Sequence, residues 1–319
     1  MDYPTVRTRL IGRSTCITEV IRTAEIVAVA DVNVLITGET GTGKELFANT
    51  LHDFGPRREQ PFISLNCASL GETLADSLMF GHCRGAFTDA KRDHEGYVHQ
   101  ASEGTLFLDE VADLPLATQA KLLRFLESGE YQPLGCSNLR YSHTRILAAT
   151  NRDLTLAVKN GSFRRDLFYR LNVIPLHLPP LRERNGDITL LAQVFFAELA
   201  ARHHLRCPNL SYDAIRCLEQ YDWPGNVREL RNLCERLLIL LQGKDIGIDN
   251  LPNEIRGAEK ILNTNNFILP VSGINFYQLE QDLIKQALVN SKGNQTRAAR
   301  LLGLTRDTLL YRMKKYGLS

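Results

Sequence analysis

The chain has 319 residues, of which 44% are hydrophobic and 23% charged, and a net charge of +2. This is globular composition, long enough for two or three domains and for a core that needs no disulfides, and it excludes a disordered chain. No apolar run approaches the ~20 residues that span a bilayer, and Met1-Asp2-Tyr3-Pro4 does not begin a signal peptide.

In chain order, residues 22–30 read as a helix and 32–37 as a buried strand, followed by a Gly-rich turn and a helix over 44–52. The short apolar runs 105–108 and 145–149 read as further buried strands. Between them, a helix over 115–128 is expected to carry Leu116, Leu122, Leu123 and Leu126 on one face. Strands alternating with helices predict a parallel α/β sheet. After Pro179-Pro180 only helices are expected, over 187–204, 211–221 and 225–242. Residues 243–275, rich in Gly, Asn and Pro, read as a linker, and the last 44 residues as three helices. Residues 276–319 carry a net +5 and the rest of the chain −3, so the tail, and not the body, is expected to meet a polyanion. The seven cysteines are scattered and include no Cys-x-x-Cys pair; a reduced cytoplasmic protein is expected, with neither a disulfide framework nor a structural zinc site. The histidines, His203 and His204 among them, show no metal-ligand spacing.

Gly38-Glu39-Thr40-Gly41-Thr42-Gly43-Lys44 fits G-x-x-x-x-G-K between a strand and a helix. Glycines let backbone amides curl around phosphate oxygens, the helix N-terminus adds its positive end, and Lys44 reaches the β/γ-phosphates. Glu45 stands where Ser or Thr normally offers magnesium a hydroxyl. Asp109 and Glu110 close the 105–108 strand, where one carboxylate can hold Mg2+ and its neighbour can activate water.

These residues resemble those of bacterial enhancer-binding proteins, the AAA+ ATPases that activate sigma-54 RNA polymerase, over nearly the whole chain. The 38–45 segment is similar to that family's Walker A and Gly104-Thr-Leu-Phe-Leu-Asp-Glu110 to its Walker B. The resemblance implies that Asn66, in Phe62-Ile-Ser-Leu-Asn66-Cys67, pairs with the catalytic Glu110 as a switch. It makes Asn151 sensor I, Arg164 and Arg170 arginine fingers that reach a neighbouring subunit's ATP, and Arg228 a lid contact to nucleotide. It also sets Ile11 and Gly12 beside the nucleotide. The implied fold is a P-loop α/β subdomain with helices on both faces of a parallel sheet (1–178) and a helical lid (179–245). A linker (246–275) and an all-α helix-turn-helix domain of the Fis type (276–319) complete it.

The family's sigma-contacting loop, Gly-Ala-Phe-Thr-Gly-Ala, is Gly85-Ala86-Phe87-Thr88-Asp89-Ala90 in this chain. The expected contacts Phe87 and Thr88 are present, Asp89 replaces a glycine, and three carboxylates usual around the loop are replaced by Leu78, Cys83 and His99. In the tail, Ala299 is small where two helices cross, Gly303 allows the turn and Leu309 packs the second helix. Thr305 could cap the recognition helix and expose Arg306, Asp307, Thr308, Tyr311, Arg312, Lys314 and Lys315, early residues meeting base edges and later basic ones phosphates. The helix over 276–290 would supply a dimer face.

The leading expectation is a cytoplasmic transcription activator that binds upstream enhancer DNA as dimers. It would assemble into a ring, usually a hexamer in the family, and spend ATP with Mg2+ to remodel sigma-54 holoenzyme. One alternative is a regulator of the same ancestry that works with a different sigma factor, nucleotide serving mainly assembly. Another is an AAA+ remodelling or helicase-loading ATPase. The chain starts about ten residues before the ATPase segment, so regulation is expected from a separate protein, a small ligand or expression level.

Overall fold

The computed structural model describes residues 10–71, 74–88, 90–256, 276–291 and 293–317. The chain divides into two compact units, Met1–Ala258 and Glu259–Ser319.

In the first unit, five strands form a parallel sheet among the described residues: β1 (Val34–Thr37), β2 (Phe62–Asn66), β3 (Thr105–Asp109), β6 (Arg145–Thr150) and β7 (Ile174–His177), in the order β2-β3-β6-β1-β7. Between β3 and β6 in sequence, β4 (Glu130–Tyr131) and β5 (Arg140–Tyr141) make a small antiparallel ribbon. The three central strands are almost wholly buried, because helices cover both faces of a parallel sheet; hence the unbroken apolar runs Val34-Leu-Ile and Leu106-Phe-Leu. Helices Thr15–Ala28 and Lys44–Asp53 pack one face around Ile21, Phe47, Leu51 and Phe107. The other face buries Met79, Phe80, Leu106, Leu122, Phe125 and Leu167.

Helix Leu116–Ser128 ends where Gly129, at φ +73°, donates its N–H to Phe125 O at 2.8 Å, the left-handed stop that glycine accommodates. Its buried positions are Thr118, Gln119, Leu122 and Phe125, with Leu123 and Leu126 packed beside them, whereas Leu116 is exposed. Leu116 shares the helical face of Leu123 but occupies the first turn, and it is exposed there, contrary to the sequence expectation.

Arg145 opens β6 with a buried guanidinium that donates to Val27 O (2.9 Å), Val32 O (3.1 Å) and Ala28 O (3.3 Å). It thereby supplies a donor to Ala28 O at the end of helix Thr15–Ala28 and a second one to Val27 O, which already accepts from Ala30 N.

The lid packs helices Asp187–His203, Tyr212–Gln220 and Asn226–Leu241 around the fully buried Trp223, whose indole donates to Leu218 O at 2.8 Å. Ile246, Leu251 and Ile255 join this core. Residues 246–255 therefore pack with the lid instead of linking, and residues 257–275 of the expected linker lie outside the described residues.

The second unit contains helices Phe276–Asn290, Gln295–Leu301 and Arg306–Lys315 around Ile284, Ala287, Ala298, Ala299, Leu309 and Met313. Asn294 caps the middle helix through Arg297 N, and Thr305 caps the last through Thr308 N. Gly303, at φ +63°, makes the turn between them.

Candidate active site

The loop after β1 leads into helix Lys44–Asp53 through two glycines at positive φ, Gly41 (+81°) and Gly43 (+102°). Gly41 is also a contact position: a Cβ there would stand 2.3 Å from Gly225 O at the start of the last lid helix. Lys44 is buried and donates to Gly38 O (3.0 Å) and Glu39 O (3.4 Å), with Glu110 Oε1 3.9 Å away. Burial pulls its pKa below the usual lysine value, and the carboxylates of Glu110 and Asp109 oppose that shift. Thr42 Oγ1 donates to Glu39 O, tightening the loop. The amides of the first helical turn have no intrahelical partner and are suited to an anion.

Glu110 follows β3 in the left-handed region, φ +51°. This turns its carboxylate toward Lys44 on one side and toward Asn151, whose backbone N–H donates to Glu110 Oε2 at 3.2 Å, on the other. The Asn151 side chain donates to Thr40 Oγ1 at 3.0 Å. One residue after β6 therefore joins the carboxylate to the phosphate loop. Asp109 is half-buried, and its Oδ1 accepts from Glu110 N at 3.1 Å. The expected Asn66–Glu110 pair is not formed among the described residues. Asn66 Oδ1 instead accepts from Ala68 N at 2.9 Å, because β2 runs straight into the turn Cys67–Ser69 that this side chain caps. Glu45 is exposed.

The lid is tied to the loop by polar groups that the motifs did not announce. Glu39 accepts from both Arg182 Nη atoms (2.6 and 2.9 Å) and from Asn226 Nδ2 (3.1 Å). Arg182, and after it Asn226, hold the Glu39 carboxyl down to a pKa of about 2. Asn226 is fully buried and also donates to Thr40 O while accepting from Leu181 N. Arg228 N donates to Gly41 O at 3.3 Å, and its exposed side chain lines a cleft with Thr40, Glu229, Asn232 and Arg236.

Asp187 anchors the other edge. It accepts from Arg13 N (2.6 Å), Ser14 N (3.1 Å), Ser14 Oγ (2.8 Å) and Arg184 Nε (3.1 Å), while Arg184 Nη2 donates to Ile11 O at 2.9 Å. Gly12 fits against this pair: a Cβ there would stand 2.9 Å from Asp187 Oδ2. Beside Gly43, Leu10, Ile11, Ile17, Phe47 and Val227 line a small apolar slot. No sequence signal marked Asp187 or Asn226, since their partners come from elements up to 187 residues away.

Arg164 and Arg170 are exposed and distant from this constellation in bonding terms. Arg164 forks onto Asp166 (2.7 and 3.1 Å), and Arg170 donates to Leu126 O (2.9 and 3.1 Å).

Thr88 is exposed, and Phe87 is half-buried with its ring 4.9 Å from that of His82; Asp89 lies outside the described residues. The three positions that lack the usual carboxylates have other partners. Leu78 packs on the sheet core, His99 Nδ1 is 2.9 Å from Tyr131 Oη, and Cys83 is disulfide-bonded to Cys136. That bond corrects the expectation of unpaired cysteines. The partners are 53 residues apart in sequence and are brought together where residues 81–83 lie along Leu134, so spacing carried no sign of them.

On the last helix of the second unit, Arg306, Asp307, Tyr311, Lys314 and Lys315 are exposed and Thr308 is half-buried. Arg312 is turned elsewhere: with Tyr316 it bonds the Glu280 carboxylate on helix Phe276–Asn290, and it holds helices together instead of standing free for phosphate. Lys315 lies over the rings of Tyr277 and Tyr316 at 5.1 and 5.5 Å.

Comparison with known families agrees with this geometry. Residues 10–177 match the sigma-54 interaction domain, 182–266 the AAA+ ATPase lid domain, and 277–316 the bacterial regulatory protein, Fis family. The chain is 40% identical over 314 residues to the regulatory protein AtoC of Escherichia coli (strain K12), covering 97% of this chain and 68% of AtoC. It is 42% identical over 311 residues to the phenol regulator MopR of Acinetobacter guillouiae, covering 96% of this chain and 56% of MopR. Among solved structures, NtrX from Brucella abortus in complex with ATP superposes with a TM-score of 0.71 at 32% identity, over 98% of this chain and 71% of NtrX.

Proposed function

The chain belongs to the family of sigma-54 transcription activators, as an AAA+ ATPase with a Fis-type DNA-binding domain, and from that premise we propose how its residues divide the work. ATP lies with its base in the slot beside Ile11 and Gly12 and its phosphates in the 38–44 loop. There Lys44 exchanges its bonds to loop carbonyls for phosphate oxygens. Asp109 fits a hard divalent cation, and Mg2+ bound there would neutralise phosphate charge. Glu45 supplies no hydroxyl, so Asp109 would hold the ion without help from that position. Glu110 takes the proton of the attacking water, and Asn151 registers the state of Glu110 on Thr40. Arg228 contacts the nucleotide from the lid.

The observation that carries this reading is the position of Glu110, 3.9 Å from Lys44 and hydrogen-bonded by Asn151 N. Arg164 and Arg170 serve the neighbouring subunit's ATP, which supports a ring; their exposure and their lack of any bond to their own 38–44 loop favour a role in trans. Phe87 and Thr88 engage sigma-54 holoenzyme. Upstream DNA is read by the Arg306–Lys315 helix, with Arg306, Asp307 and Thr308 near base edges and Lys314 and Lys315 on phosphates. Exposed Phe276, Leu279 and Leu283, at helical spacing, supply the dimer face. The domain boundaries of this reading are 1–178, 179–245 and 276–319, with the lid core extending to Ile255. It puts the chain in the cytoplasm; no helix among the described residues is long and apolar enough to cross a membrane.

Open-complex formation on a linear sigma-54 promoter template, with holoenzyme, ATP and this chain, tests the assignment. Melting that requires ATP and fails with Glu110→Ala is expected. ATP hydrolysis without melting would overturn the sigma-54 role of the Phe87 loop.

A further inference from the structure

The Phe87 loop is held at its root on two sides. On one, His82 and His94 exchange two backbone hydrogen bonds of 2.9 and 3.0 Å. On the other, Cys83 N donates to Leu134 O and Leu134 N to Gly81 O, both at 2.9 Å, which lays the root along the segment between β4 and β5. Gly135, at φ +72°, lies against Ala86 so closely that a Cβ would stand 2.7 Å from Ala86 Cβ. Within this seam Cys83 and Cys136 are bonded, and their Cα atoms, 5.6 Å apart, stand well inside the roughly 4.4–6.8 Å that a disulfide spans without moving backbone. Every other contact in the seam is non-covalent and breaks with ordinary thermal energy. This one is made or broken only by a two-electron reagent.

We propose that Cys83 and Cys136 are a redox modification site that locks and frees the Phe87 loop, with a low-molecular-weight disulfide such as oxidised glutathione as oxidant and a dithiol as reductant. The proposal rests on the reading of Phe87 as the sigma-54 contact. One cysteine thiolate attacks a sulfur of the small disulfide and expels one small thiol. The second cysteine thiolate attacks the protein-bound sulfur of that mixed disulfide and expels the other. The Cys83–Cys136 bond forms, the small disulfide's S–S bond breaks, two electrons pass to the oxidant, and the two cysteine protons end on the two small thiols. A dithiol reverses the exchange and is itself oxidised to a cyclic disulfide.

The pair is placed to gate motion and not chemistry. Neither Cys83 nor Cys136 bonds to the 38–44 loop, to Asp109 and Glu110 or to Asn151, so hydrolysis continues while the loop is stapled to its neighbour. The remaining cysteines cannot substitute. Cys67 and Cys234 are buried, which raises both thiol pKa values and disfavours the attacking thiolate, and Cys16, Cys207 and Cys217 are not paired with another cysteine, so a small disulfide could cap them but no bond in the chain resolves the cap. In a reducing compartment such a bond is transient, which suits a sensor better than a structural brace.

The test uses the whole chain treated with oxidised glutathione or with dithiothreitol. Alkylation and peptide mass spectrometry detect the linked peptides, and hydrogen exchange is followed in a peptide spanning residues 82–94. ATPase and open-complex assays complete it. Oxidation is expected to link Cys83 to Cys136, slow exchange in the loop, and lower the rate of promoter opening about tenfold or more while ATP hydrolysis stays within about twofold. Dithiothreitol restores opening, and Cys83→Ser and Cys136→Ser open promoters equally in both conditions. Absence of the linked peptides, unchanged loop exchange, or oxidant-sensitive opening in both serine variants would overturn the proposal. Reduced wild-type chain that hydrolyses ATP yet opens nothing would count against the sigma-54 reading alone, since the linkage and the exchange measurement still decide the lock.

Discussion

Asp187→Asn isolates the contribution of one buried charge, because the two side chains have nearly the same shape. Asp187 is fully buried, and its ion-pair partner Arg184 has a side chain only 5% exposed. Burial by itself would raise the Asp187 pKa, yet the hydrogen bonds from Arg13 N, Ser14 and Arg184 hold it below the ordinary carboxylate value. In Asp187→Asn, one terminal atom can still accept from Arg13 N and Ser14 N, but the other becomes an NH2 facing the Arg184 Nε donor. The guanidinium is left buried and uncompensated, a change that costs about 3–5 kcal/mol. For a unit of this size each kcal/mol moves Tm by about 2–4 °C, so a fall of roughly 6–20 °C is expected by scanning calorimetry. Because Arg184 also holds Ile11 O, ATP affinity should weaken with stability. A fall of less than about 2 °C would mean that Arg184 finds solvent or another acceptor and would refute the reasoning. The pH sign follows. Folding lowers the Asp187 pKa, so its contribution is fully present above the unfolded value of about 3.9 and is lost as pH falls through the lower folded value.

Glu39 gives a second titration, with its carboxyl midpoint near 2 by carbon NMR in the folded chain and moved toward its ordinary value of 4.5 in Arg182→Ala; a midpoint above 4 in wild type would contradict the clamp. Its stabilising effect is accordingly lost between about pH 4.5 and about pH 2 on acidification. Glu110→Ala should lower ATP turnover by about 10²–10⁴ while leaving ATP binding nearly intact, and Lys44→Ala should abolish binding; equal losses of binding in both would sink the division of roles. Thr305→Ala should destabilise the second unit by about 1 kcal/mol in thermal melts, through the lost bond to Thr308 N. On DNA, Lys314→Ala should reduce the salt dependence of binding by about one counterion without changing sequence preference, whereas Arg306→Ala should relax that preference.

The sequence announced those features whose cause is local. β1, β3 and β6 show as apolar runs because both faces are covered, and the phosphate loop shows because Gly41 and Gly43 need positive φ. The edge strands were harder. β2 is mostly half-exposed, and β7 carries Pro175, which an edge strand tolerates, so neither has the run or the alternation that marks a strand. The first helix runs from Thr15 to Ala28, beginning seven residues before the expected start at Arg22 and ending two residues before the expected end at Ala30. At the site, the motif residues were readable but several of their partners were not. Asn66 caps its own turn, Arg312 bonds Glu280, and Asn226, Asp187 and the Cys83–Cys136 pair depend on contacts between residues far apart in the chain. Such contacts are products of topology, and a local pattern holds no trace of them.

The close approach of Gly41 to Gly225 has a mechanical consequence. With no side chain between them, two backbones bear on each other where the lid's last helix begins. Helix Asn226–Leu241, with 16 residues, extends about 24 Å from that fulcrum. A tilt of about 10° imposed at the phosphate loop therefore sweeps its far end through about 4 Å. A methyl group at Gly41 would stand 2.3 Å from Gly225 O, on backbone at φ +81° that an L side chain rarely adopts, so the root of the lever would have to shift even if every catalytic residue kept its place.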